Sequence, residues 1–214
     1  MRFVNRSHAG RQLANLLVHL RTEPAVVLGL PRGGVPVGFE VARELSLPLE
    51  VLLVRKLGVP FQPELAMGAI GEGGVRIVDE GRIRRLGIPA RQLERVERRE
   101  RKELVRQADT FRQGRPPVNL DGRTAVIVDD GIATGSTALA ACPIARRLGA
   151  DRIVMAAPVA PREAAAIFED AADDFVVAST PQRFAAIGFF YDDFGPTPDS
   201  EVIDLLERAR GWDS

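Results

Sequence analysis

Five short apolar runs constrain this chain more than any other feature: residues 25–30 (AVVLGL), 49–54 (LEVLLV), 124–128 (TAVIV), 152–157 (RIVMAA) and 174–178 (DFVVA). Each is too short for a helix of ordinary length and is bounded by turn residues, so each reads as a buried strand. Helical periodicity fills residues 10–21, 35–45, the stretch after 136 to about 148, 161–171 and 199–210. Strands alternating with helices give βαβ units and hence an open, mostly parallel sheet covered on both faces. The expected organisation is one α/β domain over 1–214, with an insertion at 58–122 between strands two and three and a C-terminal hood at 179–214. Within the insertion, residues 61–88 read as Gly-rich and irregular, with GVRIVDE as one strand of a small hairpin. Residues 66–75 (AMGAIGEGGV) are expected to move, and 89–113 forms a long polar helix. That helix has only a thin apolar stripe (Leu93, Val96, Leu104, Ala108, Phe111), so it reads as solvated and held by i,i+4 ion pairs rather than as a nucleic-acid face. It is a fixed embellishment or an oligomer contact, which leaves a homodimer open; Arg98, Arg99 and Lys102 are its candidates for reaching a ligand. Pro143 should kink or shorten the helix that contains it.

Charge and cysteine usage narrow the partners. Lys plus Arg number 29, as do Asp plus Glu, so no global field favours nucleic acid or an anionic membrane. No apolar run approaches the roughly 18 residues that span a bilayer. The one cysteine, Cys142, excludes an intramolecular disulfide framework and fits a reducing cytoplasm. His8 and His19 stand apart from the chemistry, and no His/Cys cluster suggests zinc.

In an open parallel sheet, ligands bind beyond the carboxyl ends of the strands. The unusual residues of this chain collect there. Arg32-Gly33-Gly34 follows the first run, Arg55-Lys56 the second, and Asp129-Asp130 with a T-G-S-T turn the third. In the third loop, Gly131, Gly135 and the small Ala133 let backbone amides converge. Those amides, the start of the next helix and the hydroxyls of Thr134, Ser136 and Thr137 form an anion cradle suited to a phosphate monoester. Read alone, the same residues would serve as an ordinary helix cap. The adjacent aspartates shift the balance: like charges at a buried strand end need hydroxyls, water or a cation. A sugar diol beside a bound phosphate supplies them.

VIVDDGIATGSTALA (126–140) resembles the phosphoribosyl-pyrophosphate (PRPP) motif of the type I phosphoribosyltransferases, and the order of elements from about 25 to 180 is similar to that family's. GLPRGGVPVG resembles its pyrophosphate loop, and VRKLG the Arg-Lys step before its catalytic loop. No G-x-x-x-x-G-K-[ST] occurs, so a Walker loop is excluded. The resemblance implies a type I phosphoribosyltransferase-like fold and Mg2+-dependent displacement of pyrophosphate from PRPP by a nitrogenous base. It implies the 5-phosphate on Ala133, Thr134, Gly135, Ser136 and Thr137, and the diphosphate on Arg32, Gly33 and Gly34. Arg55 and Lys56 would add positive charge. Asp129 and Asp130 would orient ribose hydroxyls or magnesium waters. The base would lie under the hood near Phe189, Phe190, Tyr191 and Asp192. IGFFYDDF resembles the hood of oxopurine enzymes, yet Ala133 stands where those enzymes carry an acid, so purine and pyrimidine acceptors both stay open. A PRPP-binding regulator without turnover is the principal rival. A phosphatase-like or other nucleotide-binding domain, with T-G-S-T only a cap, is a third reading.

Overall fold

In the computed structural model, which describes residues 1–213, Asn5 starts the first helix by accepting the His8 amide at 2.9 Å. Helix α1 (Arg6–Leu16) leads through a 3-10 turn at Val18–Thr22 to β1 (Ala25–Gly29), α2 (Gly34–Leu45) and β2 (Leu49–Val51). Strands β3 (Val54–Val59), β4 (Gln62–Gly71) and β5 (Arg76–Val78) follow, then helices α3 (Glu80–Arg85) and α4 (Ala90–Arg112). The chain continues as β6 (Thr124–Val128), α5 (Ser136–Arg147), β7 (Arg152–Val159), α6 (Ala164–Phe168), β8 (Asp174–Ser179) and α7 (Asp199–Arg210).

The main sheet has the order β2-β1-β6-β7-β8 and is wholly parallel, with Val27 beside both Leu49 and Val126. Its apolar runs are continuous because both faces are covered. Val27, Val126 and Val154 point into one core with Leu13 of α1, Val37 of α2 and Leu206 of α7. Val26, Ile127 and Ile153 point into another with Ala141 of α5 and Phe168. Alternation along a strand assigns neighbouring residues to opposite layers.

Several expectations need correction. The run 49–54 is not one strand: β2 ends at Val51, and the chain turns away after Leu52 donates to the Gly29 carbonyl at 3.1 Å. The following residues belong to a separate antiparallel sheet, ordered β3-β4-β5. Residues 61–88 are therefore largely regular, and AMGAIG lies in β4 with Met67, Ala69 and Ile70 buried. The apolar run disguises the break because Leu52 and Leu53, which link the two sheets, are buried like the strands on either side. Helix 161–171 contracts to Ala164–Phe168, and the first helix begins earlier, at Arg6. Pro143 lies inside α5 without ending it, since only one backbone hydrogen bond is lost.

Candidate PRPP site

Strand β6 delivers Asp129 and Asp130 to the carboxyl edge of the main sheet, where Asp129 donates its amide to the Ala156 carbonyl of β7 at 3.2 Å. Beyond them the turn depends on glycine. Gly131 packs so closely under Ile187 that a Cβ would come within 2.5 Å, and Gly135 adopts a left-handed φ of +70° just before α5. Gly135 is the N-cap of α5, and no side chain caps that helix. The Ser136 amide reaches Thr134 Oγ1 only at 3.5 Å, while the two hydroxyls lie 3.1 Å apart. A helix N-terminus leaves its first amides without intrahelical partners. Here they open onto a concavity of about 170 Å³ lined by Asp129, Gly131, Ala133, Thr134, Ser136 and Thr137. The long Thr134 contact is the one side-chain hydrogen bond to these amides among the described residues.

The two acids are not equivalent. Oδ2 of Asp130 accepts Nε–H of Arg6 at 2.8 Å and lies 2.8 Å from Nη2 of the same guanidinium, and both side chains are mostly buried. Its backbone carbonyl accepts the Tyr191 hydroxyl at 2.6 Å. Among the described residues the Asp129 carboxylate has one hydrogen-bond partner, the Asp130 amide at 2.9 Å from Oδ1. Although Asp129 keeps some surface toward the cleft, protein encloses its carboxyl; burial first, then repulsion from Asp130, pushes it up to about 8. Burial also holds Asp130 above the usual carboxylate range, against the pull of Arg6. Hydroxyls or a hydrated cation reaching such an acid would favour its ionised form and draw its proton off.

The first loop lies directly against these acids. A Cβ on Gly34 would meet the Val128 carbonyl at 2.4 Å, and one on Gly33 would overlap the Asp130 carboxylate. Glycine is therefore required at both places. The Pro31–Arg32 peptide is cis, and the half-exposed Arg32 side chain comes within 3.7 Å of Asp199 on α7. Arg55 and Lys56, expected past the end of strand two, lie instead on β3. Arg55 donates Nε and Nη2 to the buried Glu100 of α4 at 3.0 and 2.7 Å, and Lys56 faces Glu64 at 3.5 Å. Together with Pro31, Arg99 and Thr137 they line a cleft of about 380 Å³. Thr137 borders both concavities, which makes the three loops neighbours. Of the basic residues expected on α4, Arg99 lines the cleft, whereas Arg98 faces Glu94 at 3.6 Å.

The aromatic segment is spread out. Tyr191 is buried, Phe190 stacks on Phe184 at 5.5 Å, Phe189 is 71% exposed, and Asp192 pairs with Arg2 at 2.6 Å. The segment is held as a strand-like pair with the N-terminus: the Phe3 amide donates to the Phe190 carbonyl and the Asp192 amide to that of Phe3. Ile187, which sequence reasoning omitted, borders the anion concavity. Arg6 was also missed. Its only sequence signal is a cation at the first turn of a helix, where the dipole disfavours it.

A phosphoribosyl transferase domain model matches residues 6–192. A Mycobacterium tuberculosis H37Rv protein, provisionally named a phosphoribosyl transferase, is 54% identical over 208 residues, 97% of this chain and 47% of its own length. The homologue from strain CDC 1551 gives the same figures, so the chain spans about half the length of the curated relatives it matches. Among solved structures, TT1426 of Thermus thermophilus is 44% identical with a TM-score of 0.88, covering 97% of this chain and 99% of that one. The AQ2163 protein of Aquifex aeolicus shares only the fold, at 12% identity and a TM-score of 0.50, covering 94% of this chain and 84% of its own. With acids, glycine turn and diphosphate-type loop gathered at one sheet edge, and a family match over most of its residues, this chain belongs to the phosphoribosyl transferase domain family.

Proposed function

We propose that the protein transfers the 5-phosphoribosyl group of PRPP to a nitrogenous base, purine or pyrimidine, with Mg2+ and release of pyrophosphate. The observation that carries this reading is the N-terminus of α5, which no side chain caps among the described residues, beside Asp129, which has no ion-pair partner among them. The helix amides and the hydroxyls of Thr134, Ser136 and Thr137 suit a phosphate, and Asp129 suits ribose hydroxyls. Gly33 and Gly34 let their loop lie tight against Asp130 and Val128 at the sheet edge, and that loop would hold the diphosphate, with Arg32 at its outer side. Bond cleavage at the ribose C1 builds positive charge on the ring and negative charge on the leaving group. Positioning and electrostatics therefore supply most of the catalysis.

Magnesium would neutralise the leaving diphosphate. Among the described residues, no group of three or more His, Cys, Asp or Glu side chains could hold a metal alone. Two adjacent acids do fit an ion that keeps waters and takes other ligands from phosphates. Asp129 and Asp130 would hold those waters. The base would enter beneath Ile187, Phe189, Phe190, Tyr191 and Asp192, in a cytoplasmic setting. No helix among the described residues is long and apolar enough to cross a membrane.

A second reading, PRPP binding without turnover, draws on the pairing of Arg55 with Glu100 and of Lys56 with Glu64, which neutralises both expected cations. Calorimetry with PRPP and Mg2+, followed by pyrophosphate release across a panel of nitrogen heterocycles, separates the outcomes. Release with any base supports transfer. Tight binding without release selects the regulator, and no binding removes both readings.

A further inference from the structure

We infer that Arg6 is a positioning residue of the PRPP site, and that it divides the labour between the two acids: Asp130 serves as an anchored strut, and Asp129 is the carboxylate left to meet the ribose. The inference rests on the functional reading above.

Arg6 is the first residue of α1, where the helix dipole opposes a cation. Asp130 compensates: its Oδ2 accepts Nε–H of Arg6 at 2.8 Å and lies 2.8 Å from Nη2, a charge-assisted contact that concentrates the guanidinium on one carboxylate oxygen. The remaining donor group of Arg6, Nη1, binds the Gly195 carbonyl at 2.7 Å, and the guanidinium lies 4.1 Å from the centre of the Phe194 ring. Phe194 stacks on Tyr191 at 4.8 Å, and Tyr191 returns to the Asp130 carbonyl. One side chain thus joins α1, the hood and the PRPP motif.

It also touches the diphosphate-type loop. A Cβ on Gly33 would come 3.1 Å from Arg6 Nε besides overlapping the Asp130 carboxylate. Asp130 is held by Arg6 beside Gly33 and has its charge offset, whereas Asp129, among the described residues, keeps one hydrogen bond to its carboxylate and borders the concavity. Moving Arg6 would release Asp130 toward the loop and loosen residues 191–195 together. The pair is buried, so its loss is felt as misplacement and as an uncompensated charge.

The test is calorimetry with PRPP and Mg2+ on the 214-residue wild-type chain, Arg6→Met, Arg6→Lys, Asp130→Asn and the Arg6→Met/Asp130→Asn double variant, each first shown to be folded by near-UV circular dichroism. Arg6→Met is expected to weaken PRPP binding by about tenfold or more, and Arg6→Lys to restore part of the loss through charge without the added contacts to Gly195 and Phe194. The double variant should bind no more than about threefold worse than the weaker single, because the two residues act as one unit. A folded Arg6→Met protein that binds PRPP within about threefold of wild type overturns the inference, as do losses that multiply in the double variant. Wild type that fails to bind PRPP overturns the functional reading itself, and this role with it.

Discussion

Asp129 is an acid whose charge the fold opposes. Its carboxyl titrates far above the ordinary carboxylate range because burial and Asp130 both oppose its charge. The folded protein therefore holds a proton that the unfolded chain gives up, so stability falls as pH rises from the ordinary carboxylate range toward about 8. Asp129→Asn keeps an oxygen for the Asp130 amide and removes this penalty. It is expected to stabilise the unliganded protein at pH 8 by on the order of 1 kcal/mol or more. For a chain of this size that is roughly 2–4 °C in the unfolding midpoint, with a smaller gain at pH 5. The same variant should lose PRPP affinity. Scanning calorimetry against pH checks the first expectation; an unchanged pH profile would show that Asp129 is not the titrating strain.

At the scale of elements, α4 is tied to the rest of the fold by buried charge. Arg112, at its last turn, sits 2.7 Å from Glu50 of β2, donates to both oxygens of Glu72, and reaches the Val51 carbonyl at 3.0 Å. Removing one member of such a cluster strands the others without partners. Arg112→Ala is expected to cost about 3–5 kcal/mol, read in a denaturant melt. Arg112 lines neither concavity, so the folded variant should bind PRPP within about threefold of wild type. The same helix brings Glu100 and Arg99 to the cleft, which makes it part of the site wall as well as an outer layer. Its regular i,i+4 pairs, such as Arg101 with Glu97 at 2.8 Å, were legible from spacing. Its hold on Arg55 and Glu72 was not, because those contacts join residues 45 and 40 positions apart.

For the whole molecule, three loops from different parts of the chain should respond to ligand as a unit. Hydrogen exchange with PRPP and Mg2+ is expected to slow at residues 32–34, 131–137 and 191–195 together, with little change in β7. Protection confined to 131–137 would mean that only the phosphate is held and that the diphosphate-type loop and hood take no part. The alternation of strands and helices, the motif at 126–140 and the glycine loop at 33–34 were readable beforehand. Each is set by local steric and hydrogen-bonding rules, and parallel topology alone brings strand ends to one edge. Tertiary structure decided where the second apolar run breaks, which cations are already paired, and which of two adjacent aspartates is free. Those outcomes depend on burial and on partners such as Arg6, 124 residues from Asp130, whose interaction energies exist only once the chain has packed.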